Sequence, residues 1–285
     1  MTEKKSKPSS HPFDGSERKK STRIDNAPPD LFDPNKPRVG RRESEPHSAE
    51  ITYIHNVLTI NFPKGRTLWD LHHYFLGKKD ALKGKEIDIQ FDVSFFKDFQ
   101  ITHTLSSYDG RKYEGKTPDI AINILSKRTW RSDLSEKVDI CKDLEISVYA
   151  VFSPYKVTSK IYNPPFLRVL ILKDDGTYKQ EELRSITLKE GEGINEKNII
   201  DISTTLPFRL GLMQLRQQHE EEQPLFRLIF IDPSEPRILP SITEKAKEAE
   251  EKAKEAEEKA KEAEEKVKEL EKDINKYREK FGELK

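Results

Sequence analysis

The chain has 285 residues, with 51 basic and 51 acidic side chains and no formal net charge. That balance excludes a protein that coats nucleic acid through bulk positive charge, so any phosphate contact must come from a local patch. A single cysteine, Cys141, excludes an internal disulfide and a cysteine-built zinc site, and it fits a reducing compartment.

The charge is divided along the chain. Residues 1–50 hold 11 Lys/Arg against 9 Asp/Glu and seven of the 17 prolines. Almost no apolar periodicity runs through this stretch, so residues 1–48 read as a disordered tail that cannot bury enough surface to offset its ordering entropy. Lys19-Lys20 and Arg38 to Arg42 form small basic clusters within it. The N-terminus MTEKKSKPSS has no apolar h-region, and no apolar run is long enough to cross a bilayer. A cytoplasmic protein without a membrane partner is expected.

An ordered domain is expected over residues 49–240. The β-branched and aromatic run ITYIHNVLTINF (51–62) predicts a strand. Thr67 then offers an N-cap for TLWDLHHYFLG, a helix with Leu68, Leu71 and Phe75 on one face and Gly77 as its stop. IDIQFDVSFF and PDIAINIL predict two strands separated by a turn around Tyr108-Asp109-Gly110. In the second, Ile120, Ile122 and Ile124 share a core face, while Asp119, Ala121 and Asn123 share a face presenting polar chemistry.

SDLSEKVDICKDL reads as one helix, with Ser132 as N-cap and a stripe of Leu134, Val138, Cys141 and Leu144. SVYAVFSP is a buried strand ending at Pro154, and FLRVLIL and TYKQEEL flank the hairpin turn Asp174-Asp175-Gly176. Alternation of strands and helices in this order predicts an α/β (α+β) fold: a mixed β-sheet flanked by helices.

Residues 241–285 form a coiled coil in this reading. From Ile242 to Leu284 the apolar residues recur three and four apart, and the repeat EKAKEAE spells a heptad. With Ala246 at position a, Val267 and Ile274 fall at a, and Leu270 and Leu284 at d, a pattern that favours parallel dimers. Lys252 at g and Glu257 at the next e pair opposite charges only between parallel strands. A homodimer driven by the Val267–Leu284 end is expected.

No phosphate-binding glycine loop, zincin motif or nucleophile elbow occurs. What remains is a constellation of Asp92 in one strand, Asp119 and Asn123 in the next, and Asp133 and Lys137 in the helix that follows. The run from Pro118 to Pro154, PDIAINILSKRTWRSDLSEKVDICKDLEISVYAVFSP, resembles the signature of the Uma-type restriction endonuclease family. That signature reads P-x-h-x-h-E-h-L-S-x-x-T (h apolar), then a helix with D-x-x-x-K, then a strand ending D-P. Upstream, QFDVSFF is similar to the family's first metal-binding strand, and the charged, alanine-rich C-terminus is similar to the coiled coil many members carry.

The resemblance implies a restriction-endonuclease-like fold and Mg²⁺-dependent cleavage of DNA. It implies Asp92 as a metal-binding aspartate and Lys137 as the lysine moved from strand to helix. Ser126, Thr129 and Asp133 then shape the site. Asn123 stands where the family has its second metal-binding carboxylate, Ser153 where it has the aspartate of D-P, and Phe91 where it has the proline before Asp92.

An amide at position 123 keeps an oxygen ligand but removes a negative charge from any Mg²⁺ site. Asp119 cannot substitute, because four residues along a strand span about 13 Å. Two readings follow: a nuclease weakened at Asn123, or a catalytically silent, nuclease-derived binding or scaffold protein.

Overall fold

The computed structural model describes residues 44–79, 82–157, 162–189, 192–217 and 223–282. The basic clusters and most of the expected tail lie outside them, as does Leu284. Among the described residues, no helix is long and apolar enough to cross a membrane.

The first element is a helix, α1 (Glu45–Asn61), where a strand was predicted over 51–62. Ser44, Glu45 and Pro46 open it as a helix start should. His47, Glu50, Ile51, Ile54, Val57 and Leu58 are buried on one face at helical spacing. The predicted helix over 67–77 is in turn a strand, β1 (Arg66–Leu76), antiparallel to β2 (Glu86–Phe96).

Next come β3 (Tyr108–Asp109), a 3-10 turn at Gly110–Tyr113, and β4 (Ile120–Ile124). Two short helices, α2 (Trp130–Asp133) and α3 (Glu136–Asp143), stand where one helix was expected, and Ser135 rather than Ser132 precedes the longer one. They connect β4 to β5 (Val148–Ser153), which lies parallel to it. The hairpin of β6 (Phe166–Leu172) and β7 (Tyr178–Leu183) turns at Gly176, whose φ of +75° suits glycine.

These strands make one mixed sheet in the order β3-β1-β2-β4-β5-β6-β7. A smaller sheet follows, with β10 (Arg209–Gln214) paired to β11 (Phe226–Ile231), β8 (Leu188–Lys189) and β9 (Ile200–Asp201). Gly211 permits this packing: a Cβ there would lie 2.5 Å from the Thr187 hydroxyl oxygen. The chain ends in α4 (Ile242–Phe281). This is the fold class the sequence predicts, an α+β domain with a mixed sheet and a long C-terminal helix.

Two apolar layers cover the main sheet. On one face, Ile120, Ile122, Ile124, Val148 and Ala150 pack with α1 and with Leu210, Leu212, Leu228 and Phe230 of the smaller sheet. On the other, Ala121, Tyr149 and Val151 pack with Cys141 and Leu144 of the α3 region. Both faces of β4 are therefore buried, including the one expected to present polar chemistry. Asn123 is an interior group and needs partners there.

α4 is rooted in the head by its first turn. Ser241 and Glu244 form a reciprocal capping box. The Asn61 amide donates to the Pro240 carbonyl at 2.8 Å, and the Lys245 ammonium reaches the Ile60 carbonyl at 3.5 Å. From Ala246 to Glu279 every residue is exposed.

Candidate functional site

The site begins with a fault in the sheet. The β1–β2 register pairs Trp69 with Val93 and Leu71 with Phe91, skipping the position where Asp70 faces Asp92. Asp70 has a φ of +50°, in the left-handed region that non-glycine residues rarely occupy. Core-facing parity reverses across this point. Ile87, Ile89 and Phe91 pack on the α3 side, whereas Val93 and Phe95 pack on the α1 side.

The β2–β4 ladder ends at the same place, with Val93 opposite Ile122. Beyond it, side chains replace the backbone ladder. The Asp92 amide N–H donates to Asn123 Oδ1 at 3.3 Å, and the Ile124 N–H donates to Asp92 Oδ2 at 2.6 Å.

Three further groups converge on this notch. Asn123 Nδ2 donates to Asp133 Oδ1 at 2.7 Å, and the Lys137 ammonium meets the same oxygen at 2.9 Å. Lys137 also donates to the Gln90 carbonyl at 2.8 Å. His47 Nε2, brought by the first turn of α1, stands 3.4 Å from Asp92 Oδ1. Burial alone would lower the Lys137 pKa, yet the Asp133 and Asp92 carboxylates hold it above its usual value.

The structure thus brings Asp92, Asn123, Asp133 and Lys137 together and adds His47, which lay in the expected tail. Asp119 does not join them. Its carboxylate accepts the Lys97 N–H at 2.7 Å and the Lys116 ammonium at 3.3 Å, at the opposite end of β4. That role is a strand-start clamp, so Asp119 is no support for the site. Ser126 and Thr129 bond each other at 2.9 Å and shape the loop after β4. Ser153 donates to the Tyr155 carbonyl at 2.7 Å, and Phe91 packs against His73 and Tyr149.

A divalent cation such as Mg²⁺ requires about six oxygen ligands near 2.1 Å, with anionic oxygens aimed at one point. The donor set as it stands does not fit, because its polar atoms are turned on one another, although Asp133 Oδ2 is buried without a hydrogen-bond partner. The Asn123 oxygen is occupied by a backbone N–H, and its nitrogen faces the Asp133 carboxylate. The Lys137 ammonium pairs with that carboxylate. Asp92 spends one oxygen on Ile124 and turns the other toward an imidazole. The amide orientation is fixed by its neighbours, since the N–H of Asp92 requires an acceptor and Asp133 requires a donor.

Outside the notch, His73 is interior: it bonds the Ser94 hydroxyl at 2.8 Å, and burial lowers its pKa to about 4. His72 pairs with Asp88 at 2.7 Å on the surface. Cys141 is core, and burial pushes its thiol well up. Beside the notch, Lys127 and Arg128 of the loop after β4 and Arg131 of α2 are exposed. The Arg131 guanidinium lies over the Trp130 ring at 4.9 Å.

No protein-family model matches the chain, and no curated protein matches it. Among solved structures it is similar to a chain from Anabaena variabilis ATCC 29413, described as "a putative nuclease belonging to DUF820". The two share 14% identity with a TM-score of 0.38, over 52% of this chain and 72% of that one.

Proposed function

We propose that the chain is a nuclease-derived binding and scaffold protein whose former catalytic notch has closed into a structural network. One observation carries this reading: the Asn123 amide, 2.7 Å from Asp133, joins two carboxylate-bearing elements that a metal ion would otherwise bridge. Lys137, the group that would support charge on a scissile phosphate, is held by Asp133 and a backbone carbonyl. The exposed cations Lys127, Arg128 and Arg131 supply a local patch for the phosphate backbone of DNA on a protein without net charge.

The test combines nicking and binding on the full chain. Supercoiled plasmid with millimolar Mg²⁺ or Mn²⁺ should stay intact with the wild type. Duplex DNA should bind with an affinity that falls as salt rises. The triple variant Lys127→Ala/Arg128→Ala/Arg131→Ala should bind about tenfold or more weakly. Metal-dependent nicking abolished by Asp92→Ala would instead make the chain a Mg²⁺-dependent endonuclease.

A further inference from the structure

We infer that α4 forms a parallel, in-register, two-stranded coil with a second copy of this chain, its register fixed by one reversal of charge. The seam is open along α4: Val267 is 53% exposed, Leu270 62%, Ile274 51% and Tyr277 69%. The head does not cover it, because the side chains of α4 leave the head after Lys245. β-Branched residues at a (Val267, Ile274) with Leu270 at d favour two strands over three.

The flanking charges identify the occupant as the same sequence. In a parallel pair, each g residue faces the e residue five positions on in its partner. Here those pairs are Lys245–Glu250, Lys252–Glu257, Lys259–Glu264, Lys266–Glu271 and Asp273–Arg278, all of opposite sign. Antiparallel strands would set g against g and e against e, Lys against Lys and Glu against Glu.

The last pair inverts the order of signs, and that inversion selects the register. Sliding one strand by a heptad sets Lys266 of one strand against Arg278 of the other and, in the same slip, Glu271 of the first against Asp273 of the second. The alanine heptads alone would tolerate such slips, since Ala246 to Ala263 present the same small side chain at every seam position.

The single helix leaves three g-position lysines available, while two e-position glutamates take exposed partners on their own helix. Glu250 and Glu257 pair with Lys254 and Lys261 of their own helix, each at 2.7 Å. Among the described residues, Lys252, Lys259 and Lys266 have no carboxylate within ion-pair distance. Their ammonium groups await a partner strand. This inference rests on α4 alone and stands apart from the chemistry of the notch.

Sedimentation of the full chain at micromolar concentration should give twice the monomer mass. Lys252→Glu/Lys259→Glu/Lys266→Glu should weaken association by about tenfold or more, and so should Glu257→Lys/Glu264→Lys/Glu271→Lys. Mixing the two variants should restore a dimer, because every g–e pair regains opposite signs. Circular dichroism on each variant checks that helix content is kept. For orientation, Ala249→Cys at a d position should form an interchain disulfide in the full chain under mild oxidation. A monomeric or trimeric wild type, no recovery on mixing, or a dimer of the Ala249→Cys variant that fails to crosslink would each overturn the inference.

Discussion

Asn123 is 1% exposed and has only side chains and backbone to satisfy it. Its amide offers an acceptor to one neighbour and a donor to another, which a carboxylate cannot do. Asn123→Glu would bring a second negative charge against Asp133 in a buried notch. We expect a loss of about 3 kcal/mol at pH 7, the scale on which an unpaired buried charge acts. Urea unfolding measures it. Millimolar Mg²⁺ should recover part of the loss in the variant, where two carboxylates then face an ion, and should leave the wild-type midpoint unmoved. A wild-type midpoint that rises with Mg²⁺ would show that the native notch holds the ion.

The faulted strands explain which elements were legible in the sequence. Leu68, Leu71 and Phe75 recur three and four apart, which is helical spacing, yet they lie on a strand. The spacing arises because core-facing parity slips by one residue at Asp70, so Leu68 and Phe75 end in the same apolar layer. A period-2 search fails there for the same reason. α1 departs in the opposite sense: its β-branched residues suggest a strand, and its Ser44-Glu45-Pro46 start falls inside the stretch expected to be a tail. His47 was thereby lost to the site. By contrast β4, β5 and the β6–β7 hairpin have regular parity or a plain turn and were legible, and β2 was legible because Ile87 to Phe95 keep an alternate apolar spacing although the layer they enter changes at Asp92. Asp92, Asn123 and Lys137 were legible through a motif pattern, but their bonds depend on strand splay that no local pattern encodes.

The fault has its own test. Asp70 sits at a φ of +50°, where glycine is unstrained and a β-branched residue is not. Asp70→Val should cost about 1–2 kcal/mol more than Asp70→Gly, measured by thermal or urea unfolding. Equal costs would show that the kink does not need the left-handed conformation.

At the scale of the whole molecule, α1 ties distant parts of the chain together, and one tie is sensitive to pH. Glu50 accepts from Arg227 at 3.0 Å, and burial raises its pKa to about 7 against the pull of that guanidinium. The folded state therefore keeps a proton that the unfolded chain has released above its ordinary value of 4.5. Stability from this group is complete below that value and is lost as pH rises through about 7. His73 acts oppositely, adding stability as pH rises from about 4 to 6.5. In the shared window the two slopes offset each other. Glu50→Gln should remove one of them, leaving a variant more stable than wild type by up to about 3 kcal/mol at pH 8 and little different at pH 4.5. Urea midpoints across that range check it, and parallel pH profiles for the two proteins would refute it.

The same helix governs how the chain emerges during synthesis. α1 is the first described element to leave the ribosome, yet Arg227 and Pro240 follow Glu50 and Asn61 by 177 and 179 residues. Its apolar face, with Ile54, Val57 and Leu58 fully buried at the end, meets the smaller sheet only after that sheet is made. Part of this face can meet the main sheet once β4 and β5 are made, but the head closes fully only when its last strand is free to fold.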